Sequence, residues 1–144
     1  MKKTIIWSGV LLAAVSLCGC GQKEAVHVSE SHAADEISAV KIQNDAWPLE
    51  ILAASDGDVH VDLDGKMDKK AEKPRVVLQD GVLKVMMGRE EKAGIGQFSF
   101  GKGGRAAVYI PAGMDAPVTV INGAGDLKID GLTVPELAME NTSG

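Results

Sequence analysis

Aromatic residues are nearly missing from this chain of 144 residues, which has two Trp, one Tyr and two Phe. Surfaces that hold sugars or single-stranded nucleic acid lean on aromatic platforms, and no cluster of rings announces one here. Positive charge is in deficit, with 15 Lys and Arg against 20 Asp and Glu. An acidic chain repels phosphate backbones, which excludes nucleic acid as a partner. Cysteine occurs only at Cys18 and Cys20. No apolar run reaches the roughly 20 residues that a membrane-spanning helix needs. Past the first 20 residues, no stretch of about 12 residues carries a helical apolar stripe.

What the N-terminus does contain is a short positive segment, Met1-Lys2-Lys3, followed by 13 uncharged, mostly apolar residues from Ile5 to Leu17. That length fits the hydrophobic region of a secretory signal. The run closes on Leu17-Cys18-Gly19-Cys20 and resembles a bacterial lipoprotein signal, with an aliphatic residue at −3, a small residue at −1 and then the lipidated cysteine. Cys20 fits, with Leu17 and Gly19 in those places; Cys18 has the bulky Leu17 at −1. The expectation is a signal peptide over 1–19, lipidation at Cys20 and an extracytoplasmic protein held on the membrane. A mature chain without Cys18 would have neither a free thiol nor a disulfide, so stability must come from the core. A lipoprotein cysteine carries at least two fatty chains, enough for a lasting anchor.

Residues 20–36 read as the lipidated cysteine and a polar tether, with His27 and His32 as spacers. From about Ile37 the pattern changes to a period of two. Val59, Val61 and Leu63 alternate with His60, Asp62 and Asp64, so one set faces a core and the other water. Leu83-Val85-Met87, Ala106-Val108-Ile110 and Leu127-Ile129 repeat the pattern. Asp56-Gly57, Asp80-Gly81 and Asn122-Gly123 are turn pairs that tolerate positive φ. Asp80-Gly81 lies between RVVLQ and VLKVMM and predicts a hairpin. The domain over 37–144 is therefore expected to be all-β, with about ten short strands.

A repeat refines this expectation. Asn122-Gly123-Ala124-Gly125 and Asn141-Thr142-Ser143-Gly144 stand 19 positions apart. The strand Asp126-Leu127-Lys128-Ile129 follows the first copy, and Gly57-Asp58-Val59-His60-Val61 reads as a more distant echo of its Gly-Asp start. A turn and two short strands per copy make one coil of a stacked β-structure, and such coils need neighbours to bury their apolar faces. The second copy stops where a strand is due, so the domain is expected to be incomplete, with its least stable strands beyond about Val134.

Familiar chemistry fails on inspection. Gly96 to Lys102 meets the Gly-x₄-Gly-Lys spacing of a phosphate loop, but Gly103 replaces the hydroxyl that would hold magnesium. No helix follows to receive phosphate, so no nucleotide is expected. Asp62, Asp64 and Asp68 are the residual candidates for a cation. In a calcium-loop register, however, the first ligand falls on His60 and the twelfth on Ala71. A solvated acidic strand face with lysine neighbours is the stronger reading. No Gly-x-Ser-x-Gly elbow exists, and no carboxylate pair stands out. The chain reads as neither an enzyme nor a holder of cofactors.

Ile110-Pro111 at a strand end, followed by the Asn122 and Asn141 units, resembles a family of bacterial envelope proteins labelled adhesins. These are built of β-strand repeats, and their function is largely unknown. The resemblance covers roughly 37–144 and implies a solenoid-like or sandwich-like β-domain displayed outside the cell, with no catalytic residues. Two further readings stay open: an accessory or sensor input of an envelope stress response, and a shortened relative without function. The expected partners are the membrane, through Cys20, and an envelope protein or surface polymer.

Overall fold

The computed structural model describes residues 23–68, 73–87 and 104–142. Ten strands follow one another: β1 (Lys23–Ala33), β2 (Ala39–Asn44), β3 (Leu49–Ala54), β4 (Asp58–Asp68), β5 (Arg75–Gln79), β6 (Val82–Met87), β7 (Gly104–Pro111), β8 (Val118–Asn122), β9 (Leu127–Asp130) and β10 (Leu137–Asn141). A single 3₁₀ turn over Ala34–Glu36 separates β1 from β2. The strands form two five-stranded sheets, ordered β1-β4-β7-β3-β9 and β10-β8-β2-β6-β5.

The alternation of apolar residues decides which side of each strand faces inward. Val59, Val61 and Leu63 of β4 are fully buried, as are Leu83 and Val85 of β6 and Ala106 and Val108 of β7. Their polar neighbours face water, as a period of two requires. The two inner faces meet in one core, which also takes Val40, Ile42, Leu49 and Ile51. At Asp80-Gly81 the hairpin between β5 and β6 has φ values of 52° and 76°. Two positive central φ angles define the tight turn whose twist matches its strands.

The stack lies on the C-terminal side of this body. β6, β2, β8 and β10 run parallel in one sheet, and β7, β3 and β9 run parallel in the other. A coil is thus one strand in each sheet, as in β2–β3 and β8–β9. Parallel neighbours need a long crossover connection, and here it passes through the other sheet, so each sheet is assembled from distant segments. The N-terminal side differs: β1, β4 and β5 are antiparallel additions.

Three expectations change. The polar segment over 20–36 is not a tether in its described part: β1 pairs with β4 along all 11 of its residues, from Lys23↔Asp68 to Ala33↔Asp58. Two inward aliphatics suffice because β1 is an edge strand; Val26 is buried and Val28 packs against the core. The Gly57 echo does not join the stack, since β4 runs antiparallel to β7. Neither Gly57 nor Gly123 adopts a positive φ. At Gly123 glycine is needed for space, because a Cβ there would run into the backbone carbonyl of Asp45.

Candidate functional site

The repeat residues build the corner of each coil. Asn44 ends β2, Asn122 ends β8 and Asn141 ends β10, and register places the three side by side. The Nδ2 of Asn44 donates to the carbonyl of Trp47 at 2.6 Å and to the Oδ1 of Asn122 at 2.8 Å. The backbone N–H of Trp47 donates to the Oδ1 of Asn44 at 3.1 Å. One coil further on, the Nδ2 of Asn122 donates to the carbonyl of Gly125 at 2.6 Å and to the Oδ1 of Asn141 at 3.2 Å. Asn44 and Asn122 therefore each close their own turn and reach the next asparagine. Backbone bonds run alongside: Gly123 N–H to Asn44 O, Ala124 N–H to Asp45 O and Thr142 N–H to Asn122 O. Asn44 and Asn122 are buried, and buried amides are tolerable only when satisfied in this way.

The second feature is the outer face of the β1-β4-β7-β3-β9 sheet. Register lays out its rows. His60, Tyr109 and Leu52 form one; Ser29, Asp62, Ala107, Glu50 and Lys128 the next; His27, Asp64 and Arg105 a third. Ala107 is small among long neighbours and leaves a hollow of about 600 Å³ with Gly65 and Gly104 also in its lining. Ala25, His27, Asp62, Asp64, Lys66, Arg105 and Tyr109 complete it.

Charge on this face is unevenly satisfied. Arg105 lies opposite Asp64 across the strands, yet its Nη2 pairs with the Oε2 of Glu50 at 2.5 Å. That hydrogen bond, then the guanidinium charge, holds the Glu50 carboxyl below its ordinary range, and the same contact raises Arg105. Lys128 lies 3.9 Å from the other Glu50 oxygen. The Oδ1 of Asp62 accepts from Ser29 Oγ at 2.7 Å. The side chains of Asp64 and Lys66 make no hydrogen bond or ion pair among the described residues. His60 turns away from the hollow to Asp56, 2.8 Å from either carboxylate oxygen, and its hydrogen bond lowers the Asp56 pKa.

A family model described as Toastrack DUF4097 matches residues 37–144. The chain belongs to the Toastrack DUF4097 family. Among solved structures it is similar to one from Clostridium sporogenes ATCC 15579, described as a "putative cell adhesion protein", with a TM-score of 0.59 and 13% identity over 81% of this chain and 57% of that one. A structure from Parabacteroides merdae ATCC 43184, described as a "putative adhesin", matches with a TM-score of 0.36 and 13% identity, over 89% of this chain and 56% of that one. The chain thus spans less than two thirds of either structure. A search of the curated proteins gives no match.

Within this Toastrack domain the residues expected from sequence separate. Asn122, Gly123, Gly125 and Asn141 come together at the coil corner, while Asp126 is exposed and supplies its carbonyl to the N–H of Leu49 at 2.8 Å. Cys20, Gly144 and the Gly96–Gly103 run lie outside the described residues. Asp62, Asp64 and Asp68 do not converge. All three lie on the one extended strand β4, where six residues span about 20 Å, too far for one cation. Among the described residues no group of three His, Cys, Asp or Glu is placed to hold a metal ion. Asn44 was missed, although Asn44-x-x-Trp47-x-Leu49-x-Ile51 has the spacing of Asn122-x-x-Gly125-x-Leu127-x-Ile129. Trp47 in place of the glycine hides the copy.

Proposed function

We propose that this Toastrack protein is a lipid-anchored component of the bacterial envelope, whose domain binds or scaffolds there without catalysing a reaction. The observation that carries the reading is the outer sheet face with its hollow over Ala107, open and lined by both signs of charge, on a body stiffened by the asparagine ladder. The shared fold with a structure described as a "putative cell adhesion protein" supports display outside the cell. The signal features and Cys20 support the anchor. Because β1 begins at Lys23, only Gly21 and Gln22 separate Cys20 from the sheet, a reach of about 10 Å over three peptide steps. The domain would then lie against the bilayer surface instead of on a long leash.

Fractionation tests the anchor. The native chain should follow the membranes, and Cys20→Ser should be released or left unprocessed. Unchanged membrane association in that variant overturns the anchor. Binding is tested separately with isolated envelopes and the released chain. Recovery of one membrane-embedded signalling protein after crosslinking, with no polymer, would replace this reading with that of a sensor input.

A further inference from the structure

The hollow over Ala107 takes its lining from three neighbouring strands, β1, β4 and β7, and extends along them. Its lining runs from Asp62 to Lys66 on β4 and from Gly104 to Tyr109 on β7, about 13–17 Å at the rise of an extended strand. Its floor is small: Ala107, Gly65, Gly104 and Ala25. Its walls carry two carboxylates, Asp62 and Asp64, and two cations, Arg105 and Lys66, with the Tyr109 ring closing one end.

These charges do not cancel one another. Glu50 takes up Arg105 on the side away from Asp64, so the cross-strand neighbour that register offers to Asp64 is diverted. A guanidinium has five donors, and the bond to Glu50 uses one nitrogen, Nη2. Arg105 therefore keeps donors for a second acceptor. Asp62 commits one oxygen to Ser29, while Asp64 and Lys66 are uncommitted among the described residues. The hollow thus offers acceptors and donors side by side, along a trough of peptide-strand length. Exposed charges of this kind give specificity more than affinity, and the Tyr109 face favours a cation beside it.

We propose that this hollow binds an extended peptide carrying both ammonium and carboxylate groups, the ammonium set against Asp62 and Asp64 and the carboxylate against Arg105 and Lys66. The proposal rests on the binding role above and names its ligand class. A neutral sugar chain would leave both charge pairs unanswered, and an acidic polymer would meet the two aspartates.

Calorimetric titration of the full chain in detergent micelles tests it, with the free tetrapeptide Ala-Glu-Lys-Ala as probe and a neutral N-acetylated chito-oligosaccharide as the comparison. The tetrapeptide should bind, and its lysine-acetylated, C-terminally amidated form should bind at least tenfold more weakly. Ala107→Phe fills the hollow and keeps every charge, and Asp64→Asn removes an exposed carboxylate without touching the core. Each should weaken binding about tenfold, while Lys41→Gln on the other sheet should leave it unchanged. Absence of tetrapeptide binding at millimolar concentration overturns the proposal. So does binding that survives both Ala107→Phe and Asp64→Asn, or binding of the chito-oligosaccharide alone. If the native chain still holds isolated envelopes while the tetrapeptide fails, the binding role stands and the hollow is not its site.

Discussion

The side-chain amide of Asn44 donates to the side-chain oxygen of Asn122 at 2.8 Å across 78 residues of sequence. The bond ties the corner of one coil to the corner of the next, where the turn interrupts the strand ladder. Asn44 and Asn122 each do for their turn what a backbone turn bond would do, then use the remaining amide donor along the stack. A row of amides polarised in one direction gains from its neighbours. The tandem Asn spacing is thus a device for stacking coils.

Removing one rung should cost more than an exposed hydrogen bond. Asn122→Ala deletes the donors to the Gly125 carbonyl and to Asn141, and takes an acceptor from Asn44. Buried groups left unpaired cost about 1–3 kcal/mol each, so urea unfolding should show a loss of about 2–4 kcal/mol. A loss under about 0.5 kcal/mol, the scale of an ordinary surface substitution, would mean that water replaces the rung without penalty.

Glycine at the corner is required by proximity. A Cβ on Gly125 would run into the carbonyl oxygen of Trp47 and lie 2.8 Å from the Nδ2 of Asn44. Gly125→Ala should therefore destabilise by about 1–3 kcal/mol, the range of overpacking. Gly57→Ala meets nothing within 4 Å and no positive φ. It should be neutral or gain slightly, by up to about 1 kcal/mol through the unfolded state. Equal melting temperatures for the two variants would contradict the close approach at the corner.

The legible parts of the fold were those written locally. Val59-His60-Val61-Asp62-Leu63 alternates without a slip and forms β4 with the expected faces. Asp80-Gly81 announced its hairpin, and the 19-residue offset announced stacked corners. Non-local facts were hidden. β1 has two inward aliphatics, Val26 and Val28, among eleven residues, a composition that also suits a solvated linker. Its strand character comes from β4, which supplies a partner for its whole length. The hollow is equally non-local, since Ala107 becomes a floor only when register sets Asp62 and Glu50 on either side of it.

Edge attachment of β1 can be tested directly. Val26 lies opposite Gly65 in register and is 9% exposed. Val26→Asp would push a carboxylate against the core, where charge is costly. Hydrogen exchange should then show lost protection over 24–33, with the amides of β7 still protected. Loss of protection throughout both sheets would mean that β1 folds as one unit with the core.

Acid should loosen the outer sheet face before the core. The Arg105 hydrogen bond depresses the Glu50 pKa from its ordinary 4.5. A depressed carboxyl contributes its stability above its unfolded pKa and loses it as pH falls through the lower folded value. The contribution is therefore intact at neutral pH and fades only below pH 4.5. Because the pair is exposed, its effect on total stability is small, and the titration itself is the better readout. Carboxyl NMR should place the Glu50 midpoint below 4.5 in the native chain and higher in Arg105→Gln. A midpoint unmoved by that substitution would show that the ion pair does not persist in solution.

The coils should grade in stability from β8 to β10. Met139 of β10 pairs in register with Val120 of β8 and continues the same inward row, yet Met139 is 58% exposed while Val120 is fully buried. Leu137, opposite the buried Val118, is 37% exposed. A strand whose apolar side has no cover gains little from the hydrophobic effect and is held by its backbone bonds, which open locally at low cost. Amides of β10 should exchange faster than those of β8. Truncating Val120 to Ala removes buried carbon and should cost about 1–3 kcal/mol. Met139→Ala should stay within about 0.5 kcal/mol, as surface substitutions do. If Met139→Ala costs as much as Val120→Ala, and β10 exchanges as slowly as β8, then the apolar side of β10 is covered in solution.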